Sequence, residues 1–375
     1  MTANEQLAVT SNLPGYTPKV YENIRDLLAN GLATPPAPEI MRCSDGVGLF
    51  YSAAVNSVFG DPESGKTWIV LVAMTEQLLA GQSVLFIDLD HNGAAAIVSR
   101  LHALGVPTDT LSDASLFRYS EPEDAVDIRT LIQDATYWQP TLVAIDSLGE
   151  LLPVYGASSN SADDYTRVHK AAIKPFAQIG SCVIVVDHEA KNAASREYGA
   201  GGTMAKKRAI DGAYLRCRVV DAFAPGRGGR AELTITKDRH GGLRAARDGS
   251  DKEPLAAKFE LSVPGAFPDN LSWKLIAPAP GERAEANQRA NDDRLGQLVK
   301  QIEALDPPAT SGSDAARRIQ GRRQDIFEAY RLISSGNVPG TTERPVPSSQ
   351  PPCREPERLV KPAYVETVEM ADESR

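Results

Sequence analysis

Three short runs, VLFID at Val84–Asp88, LVAID at Leu142–Asp146 and CVIVVD at Cys182–Asp187, are apolar throughout until each ends in an aspartate. A strand with one wet face alternates apolar and polar residues, so runs without alternation point to strands covered on both sides. Together with Val55–Phe59, Ala213–Val220 and Ala231–Thr236, they alternate with helix-compatible segments from about Gly46 to Ala277. This order predicts an α/β fold whose mainly parallel sheet is sandwiched by helices.

The first of these strands runs into VFGDPESGKTW, Val58–Trp68, which contains the pattern G-x-x-x-x-G-K-[ST] from Gly60 to Thr67. Such a loop needs glycines to turn tightly and aim successive N–H groups at phosphate oxygens. Its lysine reaches the β- and γ-phosphates, and its Ser/Thr hydroxyl holds magnesium. The pattern is specific only between a strand and a helix. Here AAVNSVF precedes it, and KTWIVLVAMTEQLLAGQ follows with a glycine suited to a helix end. The nucleotide-binding residues expected are Gly60, Asp61, Pro62, Glu63, Ser64, Gly65, Lys66, Thr67 and Trp68, with ATP and Mg²⁺ as ligand and cofactor.

Asp146, ending a buried strand, is placed to hold the metal's water shell from a neighbouring strand. Hydrolysis also needs a group to orient or deprotonate the attacking water, for which Asp88, Asp90 and Glu150 are the candidates.

In their order, GDPESGKT, LFIDLDHN, LVAIDSLGELL, VIVVDHEAKN and TITKDRHGG resemble the RecA-type ATPase core of hexameric plasmid-replication helicases and their phage and actinobacterial AAA-family relatives. The resemblance spans about Gly46 to Trp273. It implies a RecA-like P-loop NTPase fold, with Asp90 standing where the family usually has a water-activating glutamate, one methylene longer. It also implies that His188 senses the γ-phosphate. Lys237 and Arg239 of KDRHGG resemble the Lys-x-Arg element by which one subunit of a ring reaches a neighbour's γ-phosphate. Read without the resemblance, KDRHGG is equally a basic hairpin end with a Gly-Gly turn.

Ser195–Arg208, SREYGAGGTMAKKR, joins a glycine cluster to Lys206, Lys207 and Arg208. A DNA- or subunit-facing loop, a lid over the nucleotide and a solvated charge run all account for it.

Beyond Ala277 the composition changes. Residues 278–293 form a polar linker, helices are expected at Arg294–Ala304, Asp314–Gln320 and Arg322–Ser334, and the remainder is rich in Pro, Ser, Thr and charge, the signature of a disordered tail. The domains expected are a lead-in at 1–45, the ATPase core at 46–277, the linker, a helical, winged-helix-like module at 294–338 and the tail at 339–375. In the last helix Ile326, Phe327, Tyr330 and Ile333 share one face, while Arg322, Arg323 and Gln324 stand at the N-terminal end, where a recognition helix meets base edges. A helical packing or oligomerisation module explains the same pattern.

The net charge of -9 excludes a surface coated for indiscriminate nucleic-acid binding, so DNA contact would be local. Cys43, Cys182, Cys217 and Cys353 lie far apart and form no C-x-x-C pair, which argues against a disulfide framework and a zinc site. No apolar run is long enough to span a bilayer, and a cytoplasmic location is expected.

The function expected is an ATP-hydrolysing motor of helicase type, acting on DNA in replication or recombination and assembling into a homo-oligomeric ring or filament. The alternative is an ATP-gated DNA-binding regulator or partitioning factor with slow hydrolysis and no unwinding. A small-molecule kinase lacks support, because no lid arginine cluster is evident.

Overall fold

The computed structural model describes residues 24–29, 35–189, 200–247, 251–264, 271–279 and 281–335. The lead-in before residue 24, the glycine-rich stretch 190–199 and the tail from 336 lie outside the described residues. The chain divides into two compact units, 1–289 and 290–375.

In the first unit the strands are β1 (Ile40–Arg42), β2 (Gly48–Phe50), β3 (Val55–Gly60), β4 (Val84–Asp88), β5 (Phe117–Ser120), β6 (Leu142–Asp146), β7 (Cys182–His188), β8 (Ala213–Ala224), β9 (Gly228–Asp238), β10 (Leu255–Ser262) and β11 (Ser272–Ile276). β1 and β2 form a small antiparallel pair. The other strands make one nine-stranded sheet in the order β11-β10-β9-β8-β3-β7-β6-β4-β5. From β8 to β5 neighbours run parallel, whereas β9, β10 and β11 add an antiparallel flank.

The helices are α1 (Ile24–Ala29), α2 (Lys66–Leu79), α3 (Ala94–Ala103), α4 (Thr108–Ser112), α5 (Ala125–Trp138), α6 (Leu148–Val154), α7 (Ala162–Val168), α8 (Lys174–Gln178), α9 (Ala205–Ala209) and α10 (Gly242–Ala245). A π-helical turn, His169–Ile173, joins α7 to α8.

The absence of alternation in the central strands has the cause inferred from it, since both faces of the sheet are buried. Successive residues supply opposite cores. Phe86, Ala144, Ile184 and Val186 pack with Ile69, Val70 and Met74 of α2 and Ile97 and Leu101 of α3. Leu85, Ile87, Val143, Ile145, Val183 and Val185 pack with Ile128 of α5, Leu151 of α6, Val168 of α7 and Phe176 of α8. Each such large side chain, fully buried, contributes about 1.5–3 kcal/mol. A one-residue slip of any central strand would exchange its two sets of contacts, so register is strongly held.

Two boundaries differ from the sequence expectation. Ile40, Met41 and Cys43, assigned to a lead-in, are buried in the core. Strands of three residues are too short for a periodic signal. The stretch assigned to a linker is helical from Glu282, in a helix that continues to Glu303, because its Ala, Glu, Arg and Gln are strong helix formers despite their polarity.

The second unit packs that helix, α11 (Glu282–Glu303), with α12 (Gly312–Arg318) and α13 (Arg323–Ser335) around Leu295, Leu298, Val299, Ile302, Ala315, Ile326 and Ala329. Its described residues hold helices and no strand. Ser311 caps α12: its Oγ accepts from the Asp314 amide at 3.1 Å, and the Asp314 carboxylate accepts from the Thr310 amide at 3.2 Å. The second bond ties the residue before the cap, so the arrangement is a variant of the capping box with aspartate at the third helical position.

Candidate nucleotide site

β3 is buried along its whole length and ends at Gly60, where the chain turns sharply into α2. A Cβ on Gly60 would lie 2.2 Å from the Cys217 carbonyl oxygen of β8, so only glycine lets the loop leave the sheet there. Gly65 takes φ +91°, a left-handed conformation, and a Cβ on it would meet the Phe223 ring at 2.4 Å. The loop therefore turns between a backbone carbonyl on one side and an aromatic ring on the other.

The Lys66 ammonium folds back over this loop, donating to the Gly60 carbonyl at 3.1 Å and the Asp61 carbonyl at 2.7 Å. Burial holds its pKa below the ordinary lysine value, opposed by the carboxylates of Asp146, Asp187 and Asp61 among its neighbours. The Ser64 hydroxyl is buried without a hydrogen-bond partner among the described residues, which leaves the loop with an unused polar group.

At the carboxyl ends of the parallel strands the polar residues converge. Thr67 Oγ1 donates to Asp146 Oδ2 at 2.8 Å. Asp146 is not on the strand next to β3, as the sequence reading had it, because β7 lies between them. The loop and the helix start reach over β7, and this brings the hydroxyl to the carboxylate. Burial raises Asp146 to about 6, with Asp90 and Asp88 adding to the rise and the Thr67 hydrogen bond and Lys66 opposing it. A buried hydroxyl–carboxylate pair is a hard-oxygen donor set matching magnesium, which takes one or two protein oxygens plus phosphates and water. The pair and the glycine cradle thus fit a nucleotide with its Mg²⁺.

β4 pairs with β6 so that Asp88 stands opposite Asp146. Asp88 is fully engaged, accepting from Asn92, the Gly93 amide and the Tyr119 hydroxyl. Two residues on, Asp90 faces the cleft, where its Oδ1 accepts from Ser147 Oγ at 2.7 Å and its Oδ2 lies 4.0 Å from His188 Nε2. His188 stands opposite Gly60 across the β3–β7 register, immediately beside the loop.

These groups line one cavity of about 420 Å³ that includes Lys66, Thr67, Asp90, Asp146 and His188. Glu150, the other candidate for handling water, is solvent-exposed in the first turn of α6 and does not line it. Accordingly Asp90→Asn should lower kcat for nucleotide hydrolysis by about 10²–10⁴-fold, the usual scale of general-base loss, while Glu150→Gln stays near wild type. Single-turnover phosphate release compares the two, and equal losses would reject the assignment of Asp90.

Lys237 and Arg239 lie elsewhere. β8 runs parallel to β3 and β9 returns antiparallel, so the last residues of β9 lie at the end of the strands opposite the loop. Lys237 Nζ donates to the carbonyls of Lys207, Arg208 and Ile210, closing the C-terminal end of α9. Arg239 is exposed.

Of the three consecutive cations assigned to DNA contact, Lys206 turns inward. Its ammonium pairs with both oxygens of Asp187 at 3.1 and 2.8 Å, both residues being buried. An ammonium so engaged is unavailable to a backbone phosphate. Its spacing in α9 leaves Arg208 exposed and Lys207 half-buried. In the second unit Arg322, Arg323 and Gln324 are exposed at the start of α13, with the Arg323 guanidinium 5.5 Å from the centre of the Phe327 ring. Of the apolar face expected there, Ile326 is buried and Tyr330 and Ile333 pack on the core, but Phe327 is exposed.

A family model described as an AAA domain matches residues 21–194, the span holding the glycine loop, Asp90, Asp146 and His188. The match supports a P-loop ATPase. The nine-stranded, mostly parallel sheet fits such a core. No curated protein matches the chain. Among the described residues no helix is long and apolar enough to cross a membrane.

The cleft also contains Arg100 and Phe223, which sequence reasoning missed, as it did Ser147, the hydrogen-bond donor to Asp90. Ser147 directly follows Asp146 and was within reach of the motif. Arg100 on α3 and Phe223 near the tip of the β8–β9 hairpin carry no local signal, because only the folded sheet brings them to the loop.

Proposed function

We propose that this chain is a magnesium-dependent ATP hydrolase of the RecA-like P-loop class. The observation that carries this reading is the single cleft in which Lys66, the Thr67–Asp146 pair, Asp90 and His188 converge. The loop amides and Lys66 hold the phosphates, and Thr67 and Asp146 hold Mg²⁺, which neutralises developing phosphate charge when bound. Asp90, oriented by Ser147, positions or deprotonates water. His188, beside the loop, reports on the γ-phosphate.

Two finer statements belong to the same proposal. Arg239 follows β9 at the end of the strands opposite its own loop, so if it contacts a γ-phosphate it does so in a second copy, in a ring or filament. DNA is the substrate on which such an assembly acts, with Arg322, Arg323 and Gln324 as the surface that meets it and Lys207 and Arg208 as a second cationic contact. A regulator or partitioning factor that hydrolyses slowly is the second reading, favoured by the short side chain of Asp90, which a glutamate would extend by one methylene toward the cleft.

Steady-state ATPase activity across a protein concentration series, with and without single- and double-stranded DNA, tests these statements. Specific activity that rises with concentration and DNA, and falls by about 10³-fold or more in Arg239→Ala, is expected for catalysis completed by a neighbouring subunit. Slow turnover indifferent to DNA and to Arg239 favours the switch. DNA-stimulated activity without strand displacement separates a DNA-bound switch from a helicase.

A further inference from the structure

His188 reaches the cleft from the last position of β7, and the residues on either side of it are tied down on the opposite face of the sheet. Alternation along the strand puts Asp187 and Glu189 on the face of the buried Val183 and Val185. There Lys206 holds Asp187, and Glu189 Oε1 accepts from Arg216 Nη1 of β8 at 2.6 Å, with each side chain of this second pair only 8% exposed. Arg216 is itself seated: its guanidinium lies 5.3 Å from the centre of the Phe59 ring on β3, and its Nε is 3.6 Å from Glu253. The Glu189 amide donates to the Gly60 carbonyl at 2.9 Å, the same oxygen that accepts from Lys66. The His188 imidazole, by contrast, is 46% exposed and 4.0 Å from Asp90, beyond hydrogen-bond distance. Its direction is therefore set through the backbone at the end of β7.

We propose that the Glu189–Arg216 pair is a positioning device for hydrolysis, holding the end of β7 so that His188 keeps its place at the γ-phosphate. The inference rests on the reading of His188 given above, and both members of the pair act from across the sheet. A charge-assisted hydrogen bond is directional where apolar packing is not, so it fixes the rotation of a strand end about its own axis. Rotation there would turn His188 away from the loop, because successive side chains point to opposite faces. A buried ion pair contributes little net stability relative to apolar residues of the same volume, so stability alone is a weak account of this one. Its place, one residue beyond His188 and bonded through the backbone to the first glycine of the loop, accounts for it better.

Single-turnover hydrolysis and affinity for ATP with Mg²⁺, measured on the full chain beside melting curves, test this in Glu189→Ala, Glu189→Gln, His188→Ala and the Glu189→Ala, His188→Ala double variant. Glu189→Ala keeps the backbone hydrogen bond to Gly60, so affinity should stay within about threefold while the rate falls about 10²-fold, the scale of a misplacement of about 1 Å. Glu189→Gln, whose amide oxygen still accepts from Arg216, should return to within about fivefold of wild type. His188→Ala should lose about as much as Glu189→Ala, and the double variant no more than either, as for two residues acting through one contact. Losses that add, a Glu189→Ala rate near wild type, or weakened affinity at an unchanged rate overturn the positioning role. A His188→Ala rate equal to wild type overturns instead the reading of His188 on which the proposal stands. If Glu189→Ala is unfolded at the assay temperature, Glu189→Met combined with Arg216→Met decides, because it restores packing without direction. Folded protein with a rate lowered about tenfold or more then supports the proposal, and a wild-type rate overturns it.

Discussion

Lys66→Ala is expected to lower the rate of nucleotide hydrolysis by at least 10²–10³-fold, the loss that follows removal of one preorganised electrostatic partner of the transition state. The ammonium bridges the Gly60 and Asp61 carbonyls. A bound triphosphate offers oxygens of full charge in place of carbonyls, so the ammonium transfers to it. Burial has already removed much of the water that would compete. Lys66→Arg should not restore activity, because a planar guanidinium cannot occupy the position of a compact point charge. Phosphate release at saturating Mg²⁺ and ATP checks both variants, with thermal melting as a control for folding. Turnover at the wild-type rate in Lys66→Ala would overturn the assignment of the cleft.

Lys206→Ala is expected to destabilise the first unit by about 3–5 kcal/mol, because it leaves the carboxylate of Asp187 buried and uncompensated. For a unit of this size that corresponds to a melting temperature lower by roughly 10 °C. Burial pushes the Asp187 carboxyl above its usual range, and Lys206 opposes that shift. Without the ammonium, the carboxyl takes up a proton or the site takes up water. Combining Asp187→Asn with Lys206→Met should recover most of the loss, since the amide oxygen can still accept from the His188 amide, as Asp187 Oδ1 does at 2.8 Å. The same experiment distinguishes an internal strut from a DNA contact. Removing a surface cation that serves DNA would lower affinity and its salt dependence while leaving the melting temperature unchanged.

The contrast between Lys66 and Lys206 explains why some residues were legible in the sequence and others were not. Lys66 belongs to a pattern whose chemistry is local: the glycines, the lysine and the hydroxyl act through one continuous turn, so spacing along the chain is spacing in space. Lys206 stands in a run of three cations identical in charge, and its partner lies on a strand separated from it by the stretch 190–199. The helical phase of α9 decides which of the three turns inward, and that phase is set by packing. Asp90 and Glu150 were equal candidates as carboxylates downstream of strands. The orientation of α6 puts Glu150 in solvent, while the paired ends of β4 and β6 put Asp90 over the cleft.

The strands show the same division. Runs apolar on both faces announced β4, β6 and β7 because burial on two sides leaves no alternation to disguise them, and β3 was announced by the glycine loop that follows it. β5, β10 and β11 lie toward the sheet's edges, where burial is partial and the pattern is mixed, for example Glu260 between the buried Phe259 and Leu261. β1 and β2 are too short for any period to be read.

Sequence alone determined that this chain builds a buried parallel sheet with a phosphate loop at the end of its first long strand, because both properties are written in contiguous residues. Tertiary structure decided the rest of the site: which carboxylate faces the cleft, that β7 separates Asp146 from the loop strand, that Lys206 points inward, and that Phe223 and Arg100 stand beside the loop. Those relations join residues distant along the chain, and only the crossover order of the strands and the two packed faces of the sheet bring them within reach of one another.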